Sequence, residues 1–184
     1  LSRGLGDVYK RQASNILSYK RGPLFSADKA VKELYTNKNF RSKISKKFNI
    51  KNNNKIKKSI KKQALNNKNF LKKLEKIIHP LVREKMNKFT AQHKKKKLLF
   101  YEIPLLIESK LMKYFRVIIF IKANKELRQK RFKLKKGDKK LFILLNNKQI
   151  NDKKKIKFCN HVVVNEKNLN ILKKNLSVII KRYE

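Results

Sequence analysis

Three short apolar stretches of this chain end in a side chain able to handle a proton, a metal shell or a hydrogen bond. "PLFSAD" ends at Asp28, "LLFYE" ends at Glu102 and "HVVVN" ends at Asn165. Each stretch is short, rich in aromatic or β-branched residues and bounded by breakers, which predicts a buried strand. In an open α/β sheet, ligands bind beyond the carboxyl ends of the strands, so the three ends predict one crevice. A carboxylate there can accept the proton of an attacking hydroxyl, and a second can steady a magnesium shell. With cationic side chains nearby, that set of groups suits phosphoryl transfer. Asp28 also fits as the N-cap of the helix that follows it, and the two roles are compatible.

The elements that must position these groups follow from periodicity. "KAVKELYTNKNF" predicts a helix with Val31, Leu34 and Tyr35 on one face. From Phe40 to Asn69 the text is rich in lysine and asparagine, with Ile44, Phe48, Ile56, Ile60 and Leu65 as sparse apolar anchors. That pattern predicts short helices joined by solvated loops, with a turn at Asn52–Asn54. "FLKKLEKII" carries Leu71, Leu74, Ile77 and Ile78 at helical spacing and is expected to stop at His79-Pro80, because the residue before proline disfavours helix. A new helix is expected from Pro80, with Val82, Met86 and Phe89 inward. "FRVIIFIKA" (115–123) is a nearly continuous apolar run and predicts a central parallel strand. A helix, a break at Gly137-Asp138 and a basic helical hairpin lead to "HVVVN", and "NLNILKKNLSVIIKRY" closes the chain as an amphipathic helix. Strands alternating with helices predict an α/β fold, a parallel sheet flanked by helices.

The 184 residues are 40% hydrophobic, enough for one domain with a sizeable core and a small mobile subdomain. No apolar run approaches the ~18–20 residues needed to cross a bilayer, and there is no signal-peptide pattern, so a cytoplasmic protein without membrane contact is expected. The single cysteine, Cys159, rules out an intramolecular disulfide framework and is expected to be a small buried apolar residue. The charge is +40, from 52 Lys+Arg against 12 Asp+Glu. Such a balance ordinarily points to nucleic acid. Here lysine supplies most of it and comes with abundant Asn, Ile and Phe, the residues of A/T-rich codons, so no specific nucleic-acid partner is expected. A basic RNA- or ribosome-associated protein is the alternative. It predicts tight RNA binding with a steep salt dependence, but the chain lacks aromatic platforms and Gly-rich RNA motifs.

Five stretches, "FSADKAVKELY", "LEKIIHPLVREKM", "FYEIPLLIESKL", "RVIIFIKANKELRQKRF" and "KQINDKKKIKFCNHVVVN", resemble the dephospho-CoA kinase family of P-loop kinases over about 13–183. "IIHPLVRE" and "IPLLIE", in this order and spacing, are the most specific. The resemblance implies a three-layer P-loop kinase fold and transfer of the γ-phosphoryl of ATP to the ribose 3′-hydroxyl of dephospho-CoA. ATP is implied as co-substrate with Mg2+, and the chain is expected to act as a monomer. Asp28 then matches the second acid of a D-A-D segment whose first acid is Ser26 here, and would orient or deprotonate the hydroxyl. Glu102 would steady the magnesium shell. His79, Pro80 and Arg83 match H-P-x-x-R, and Pro104, Leu105, Leu106 and Glu108 match P-L-L-x-E, both on the acceptor side. His79 fits equally as a structural histidine. Arg131 and Lys135 match basic positions before the lid, and Gln149 and Lys155 match positions beyond it. Such side chains would neutralise the transferring phosphoryl group and exclude water. Leu144 stands where the family commonly has another arginine. Asn165 matches the amide at a strand end on the nucleotide side, although Glu166 and Lys167 replace small residues there. The implied plan is a core at 13–36 and 97–135, a helical acceptor-side insertion at 37–96, a lid at about 136–158 and a closing strand and helix at 160–184. Another nucleotide or nucleoside kinase on the same architecture is a further alternative.

A P-loop needs a strand, GxxxxGK[ST] and a helix, so that glycine amides curl around phosphates, lysine reaches the β/γ oxygens and a hydroxyl binds magnesium. Counting back from Asp28, the loop should occupy 4–11. Gly4 and Lys10 fall at the right spacing, but Tyr9 takes the second glycine's place and Arg11 the hydroxyl's. The chain opens with Leu1, and the first twelve residues hold two of the four glycines and no asparagine. Residues 1–12 are therefore expected to be a non-native segment resembling assembly-junction sequence, with the central first strand missing and the chain as written inactive.

Overall fold

The computed structural model describes residues 7–53, 55–134 and 139–184. In chain order these form α1 (Asp7–Ser18), β1 (Leu24–Ser26), α2 (Ala27–Leu34), α3 (Lys38–Phe48), α4 (Ile56–Asn66), α5 (Lys68–Gln92), β2 (Phe100–Glu102), a 3-10 turn at Met112–Tyr114, β3 (Ile119–Lys122), α6 (Lys125–Leu134), α7 (Lys139–Asn147), α8 (Asp152–Ile156), β4 (His161–Val164) and α9 (Leu169–Ile180). Two compact units are present: residues 26–94, and residues 7–25 together with 95–184.

In the first unit, the asparagine-rich text supplies helix ends. Asn37 accepts from the Phe40 amide at 3.0 Å to start α3, and Asn67 accepts from the amides of Asn69 and Phe70 to start α5. Asn49 closes α3 with φ 49°, a left-handed conformation that asparagine tolerates. The anchors read from sequence converge: Leu34, Phe40, Ile44, Ile56, Ile60, Leu71, Leu74 and Met86 are all buried. Helix α5 differs from expectation, for it runs 25 residues straight through Pro80. An interior proline removes one backbone bond and costs about 3 kcal/mol. Here Leu71 and Leu74 before it and Met86 after it are buried in the same unit, while Pro80 itself is exposed. Burial on both sides outweighs that local cost, and the carbonyl left without a partner can be met by water.

In the second unit, β3 and β4 pair in parallel, with Ile121 opposite Val163. Both point into a core built from Ala13 and Leu17 of α1 and Leu172, Leu176 and Ile180 of α9. The expected nine-residue strand shrinks to Ile119–Lys122, because ahead of it the Ile118 amide is taken by the Asn160 side chain at 2.8 Å. The expected single sheet is observed as two two-stranded pieces, β1 with β2 and β3 with β4, so β2 and β3 share no ladder among the described residues. Helix α1 begins within residues 1–12 and runs on to Ser18. The parallel strands flanked by helices make this an α/β fold. Among the described residues no helix is long and apolar enough to cross a membrane.

Gly22 fixes the approach of β1 to β2. A Cβ there would lie 2.2 Å from the Leu98 carbonyl oxygen and 3.1 Å from its carbon, both backbone atoms. The next residue's carbonyl, that of Pro23, accepts from the Phe100 amide at 3.0 Å. Gly22→Ala is expected to cost about 1–3 kcal/mol, read as a lowered thermal midpoint. In the first unit, burial pushes the Tyr35 hydroxyl up to about 12 from 10.0. The unfolded chain therefore releases this proton first as pH rises. The contribution is intact below about pH 10 and is lost as pH climbs toward 12. Tyr35→Phe is expected to flatten that alkaline loss in chemical denaturation.

Candidate active site

Ser26, at the end of β1, has extended backbone and its hydroxyl accepts from the Lys29 amide at 3.4 Å. The N-cap of α2 is thus Ser26 and not Asp28, which corrects one of the two readings of that carboxylate. Asp28 sits in the first turn of α2, 7% exposed. His79 and Arg83 lie one turn apart on α5, both exposed and in the same unit as Asp28.

The second unit holds the remaining described candidates. Glu102 ends β2 and is only 4% exposed. Lys10, in the first turn of α1, directs its ammonium to the carbonyl of Pro104 at 3.5 Å, two residues past Glu102. Residues 7–11 of the predicted loop segment are thereby helical, with Lys10 held near the end of β2. Arg131 on α6 donates to the carbonyl of Asn165 at 3.4 Å. The amide of Asn165 donates to Lys122 at 2.8 Å, which carries the β3–β4 ladder one residue beyond the strand and buries Asn165. Glu108, Gln149 and Lys155 hold one another. The Lys155 ammonium lies 3.2 Å from the Glu108 carboxylate and 3.3 Å from Gln149 Oε1, while the Ile150 amide donates to Glu108 at 3.0 Å. Gly4 and Lys135 lie outside the described residues.

Two further participants, Arg128 and Glu166, are not among the site residues singled out from the sequence. Arg128 donates through Nη1 to Gln149 Oε1 at 3.1 Å; its spacing of three from Arg131 was the available clue. Glu166, read only as a departure, accepts from the Asn124 amide at 3.1 Å and so ties the end of β4 to the start of α6. Cys159 is half-buried, not fully buried, with burial pushing its thiol up and Lys155 opposing that. Among the described residues no group of three or more His, Cys, Asp or Glu could hold a metal ion. Glu102 is a hard oxygen donor suited to an outer magnesium shell, whereas Arg11 offers no ligand where a hydroxyl is needed.

The arrangement gives a buried carboxylate at one strand end, a cationic α6 beside a second strand end, and a lysine in the first turn of α1. It can neutralise phosphate oxygens and hold a hydrated cation. Comparison with known proteins agrees in kind. A family model described as dephospho-CoA kinase matches residues 5–170, reaching closer to Gly4 than the start expected at Ala13. The chain is 32% identical to the dephospho-CoA kinase of Bartonella henselae over 163 residues, 86% of this chain and 84% of that protein. It is 34% identical to that of Bartonella quintana over 151 residues, 79% and 77% of the two chains. The structure of dephospho-CoA kinase from Campylobacter jejuni superposes with a TM-score of 0.65 at 28% identity, covering 94% of this chain and 90% of that one. TT1252 from Thermus thermophilus gives 0.77 at 20% identity, over 98% and 93%, a likeness of fold.

Ser26→Ala is expected to cost the first unit about 1 kcal/mol through the lost cap, measured by denaturation, whereas Ser26→Asp keeps the cap and is expected to be close to neutral.

Proposed function

The chain belongs to the dephospho-CoA kinase family, and on that footing we propose that it phosphorylates the ribose 3′-hydroxyl of dephospho-CoA with ATP to give coenzyme A. The observation that carries the reading is the buried Glu102 at a strand end, in the same unit as Arg131, whose guanidinium is tied to the end of β4. Asp28 accepts the hydroxyl proton as the new oxygen–phosphorus bond forms and the bond to the β-phosphate oxygen breaks, releasing ADP. Arg131 neutralises charge on the transferring group. Asn165 orders the nucleotide side, and His79, Arg83 and Pro104 shape the acceptor side. Magnesium accompanies ATP and offsets phosphate charge, with Glu102 suited to its water shell. The compactness of residues 26–94 supports reading 37–96 as an acceptor-side insertion, with a lid at about 136–158. The same reading has the protein act as a cytoplasmic monomer.

With Tyr9 and Arg11 where the loop chemistry calls for glycine and a hydroxyl, the chain as written is expected to form no measurable CoA. Placing a strand–GxxxxGKS start ahead of Ala13 in place of residues 1–12 completes the phosphate loop and is expected to bring ATP-dependent CoA formation to a measurable rate, with Asp28→Asn lowering it again by about a hundredfold. Faster phosphorylation of another nucleoside or nucleotide acceptor would transfer the assignment to a different kinase. Salt-sensitive RNA binding without affinity for dephospho-CoA would remove it.

A further inference from the structure

Glu108 was expected on the acceptor side, and Gln149 and Lys155 on the nucleotide side, yet their polar atoms are directed at one another. The side chain of Lys155 is 5% exposed and that of Glu108 14%. The Lys155 ammonium stands over the Phe120 ring on β3, 5.7 Å from its centre, so an aromatic face adds to its surroundings. Glu108 also takes the Ile150 amide, which fixes the backbone of the segment entering α8. Gln149 Oε1 then accepts from two cations, Lys155 at 3.3 Å and Arg128 at 3.1 Å. The Nε of Arg128 is buried with no hydrogen-bond partner among the described residues, so the placement of this guanidinium leans on Gln149. Arg128 and Arg131 stand three residues apart on α6, where side chains at that spacing are neighbours.

We infer that Glu108 is a positioning residue: its carboxylate fixes the Lys155 ammonium and the Ile150 amide, and through Gln149 this relay sets the guanidinium of Arg128 beside Arg131. The functional consequence rests on the kinase reading, in which α6 presents cations to the transferring phosphoryl group. The relay itself does not, because all of its contacts are between the chain's own groups. Lys155 is accordingly a structural cation, and Arg128 is the member of the relay nearest the proposed chemistry.

The test combines amide exchange with the side-chain nitrogen spectrum of Arg128 in the full chain, without nucleotide. Glu108→Gln is expected to speed exchange at Ile150 by about tenfold or more and to shift the Arg128 Nε signal, leaving the β3–β4 amides unchanged. Lys155→Met is expected to do the same, the double variant no more than either single change, and Lys155→Arg to restore both readouts. Additive effects, an unmoved Arg128 signal, or an unchanged Ile150 amide in Lys155→Met would overturn the relay. Should Glu108→Gln fail to fold because it strands the ammonium, the double variant, which removes both charges, must fold; its failure would equally overturn the proposal. In the variant with the completed phosphate loop, Glu108→Gln is expected to lower kcat with KM for dephospho-CoA unchanged. If that variant transfers no phosphate, the kinase reading fails while the exchange and nitrogen results still decide the relay.

Discussion

An ammonium group taken out of water must be matched by an anion and by acceptors, or the fold bears a penalty of several kcal/mol. Lys155 imposes that condition on the second unit. Its partners come from two distant segments, Glu108 after β2 and Gln149 before α8, so the chain must bring them together and keep them there. The Glu108 segment is stiffened for the purpose. Between Leu105 and Leu111 the amides of Ser109, Lys110 and Leu111 bond back to Leu105, Ile107 and Leu106, and Lys110 takes φ 56° to close the turn. Glu102 stands only a few residues upstream, so the same stiff connection that presents Glu108 also fixes where β2 delivers its buried acid.

Two of the three strand ends were legible in the sequence, whereas the run read as ending at Asp28 closes at Ser26 and leaves that carboxylate in the first turn of α2. Glu102 and Asn165 are buried at the ends of β2 and β4, as those runs require. The helical anchors of the first unit were legible too, since Ile44, Ile56 and Ile60 had no other surface to cover. Continuity across Pro80 was not, for the local rule is a statement about one hydrogen bond and one clash, whereas the helix is decided by apolar residues on both sides. The relay around Lys155 was also out of reach. In a chain with 52 Lys and Arg, nothing in the sequence separates Lys155, the one buried lysine among the described residues, from its solvated neighbours.

The abundance of lysine is put to structural use beyond charge. Lys57 lies 5.5 Å from the centre of the Tyr35 ring, and Lys155 covers Phe120 in a similar way. Long aliphatic stems cover aromatic surface while the head group stays near water or a partner. Such contacts let a chain poor in tryptophan and glycine finish its cores with what its composition supplies in excess.

The asparagines that open helices have a consequence for the charge the fold can tolerate. Asn37, Asn67, Asn151 and Asn168 each accept a backbone amide with the side-chain oxygen, and Asn124 does so at the start of α6. Aspartate at any of these positions would keep the capping oxygen and place a negative charge at the positive end of the helix dipole. Single substitutions at helix starts could therefore lower the chain's positive charge without removing a cap.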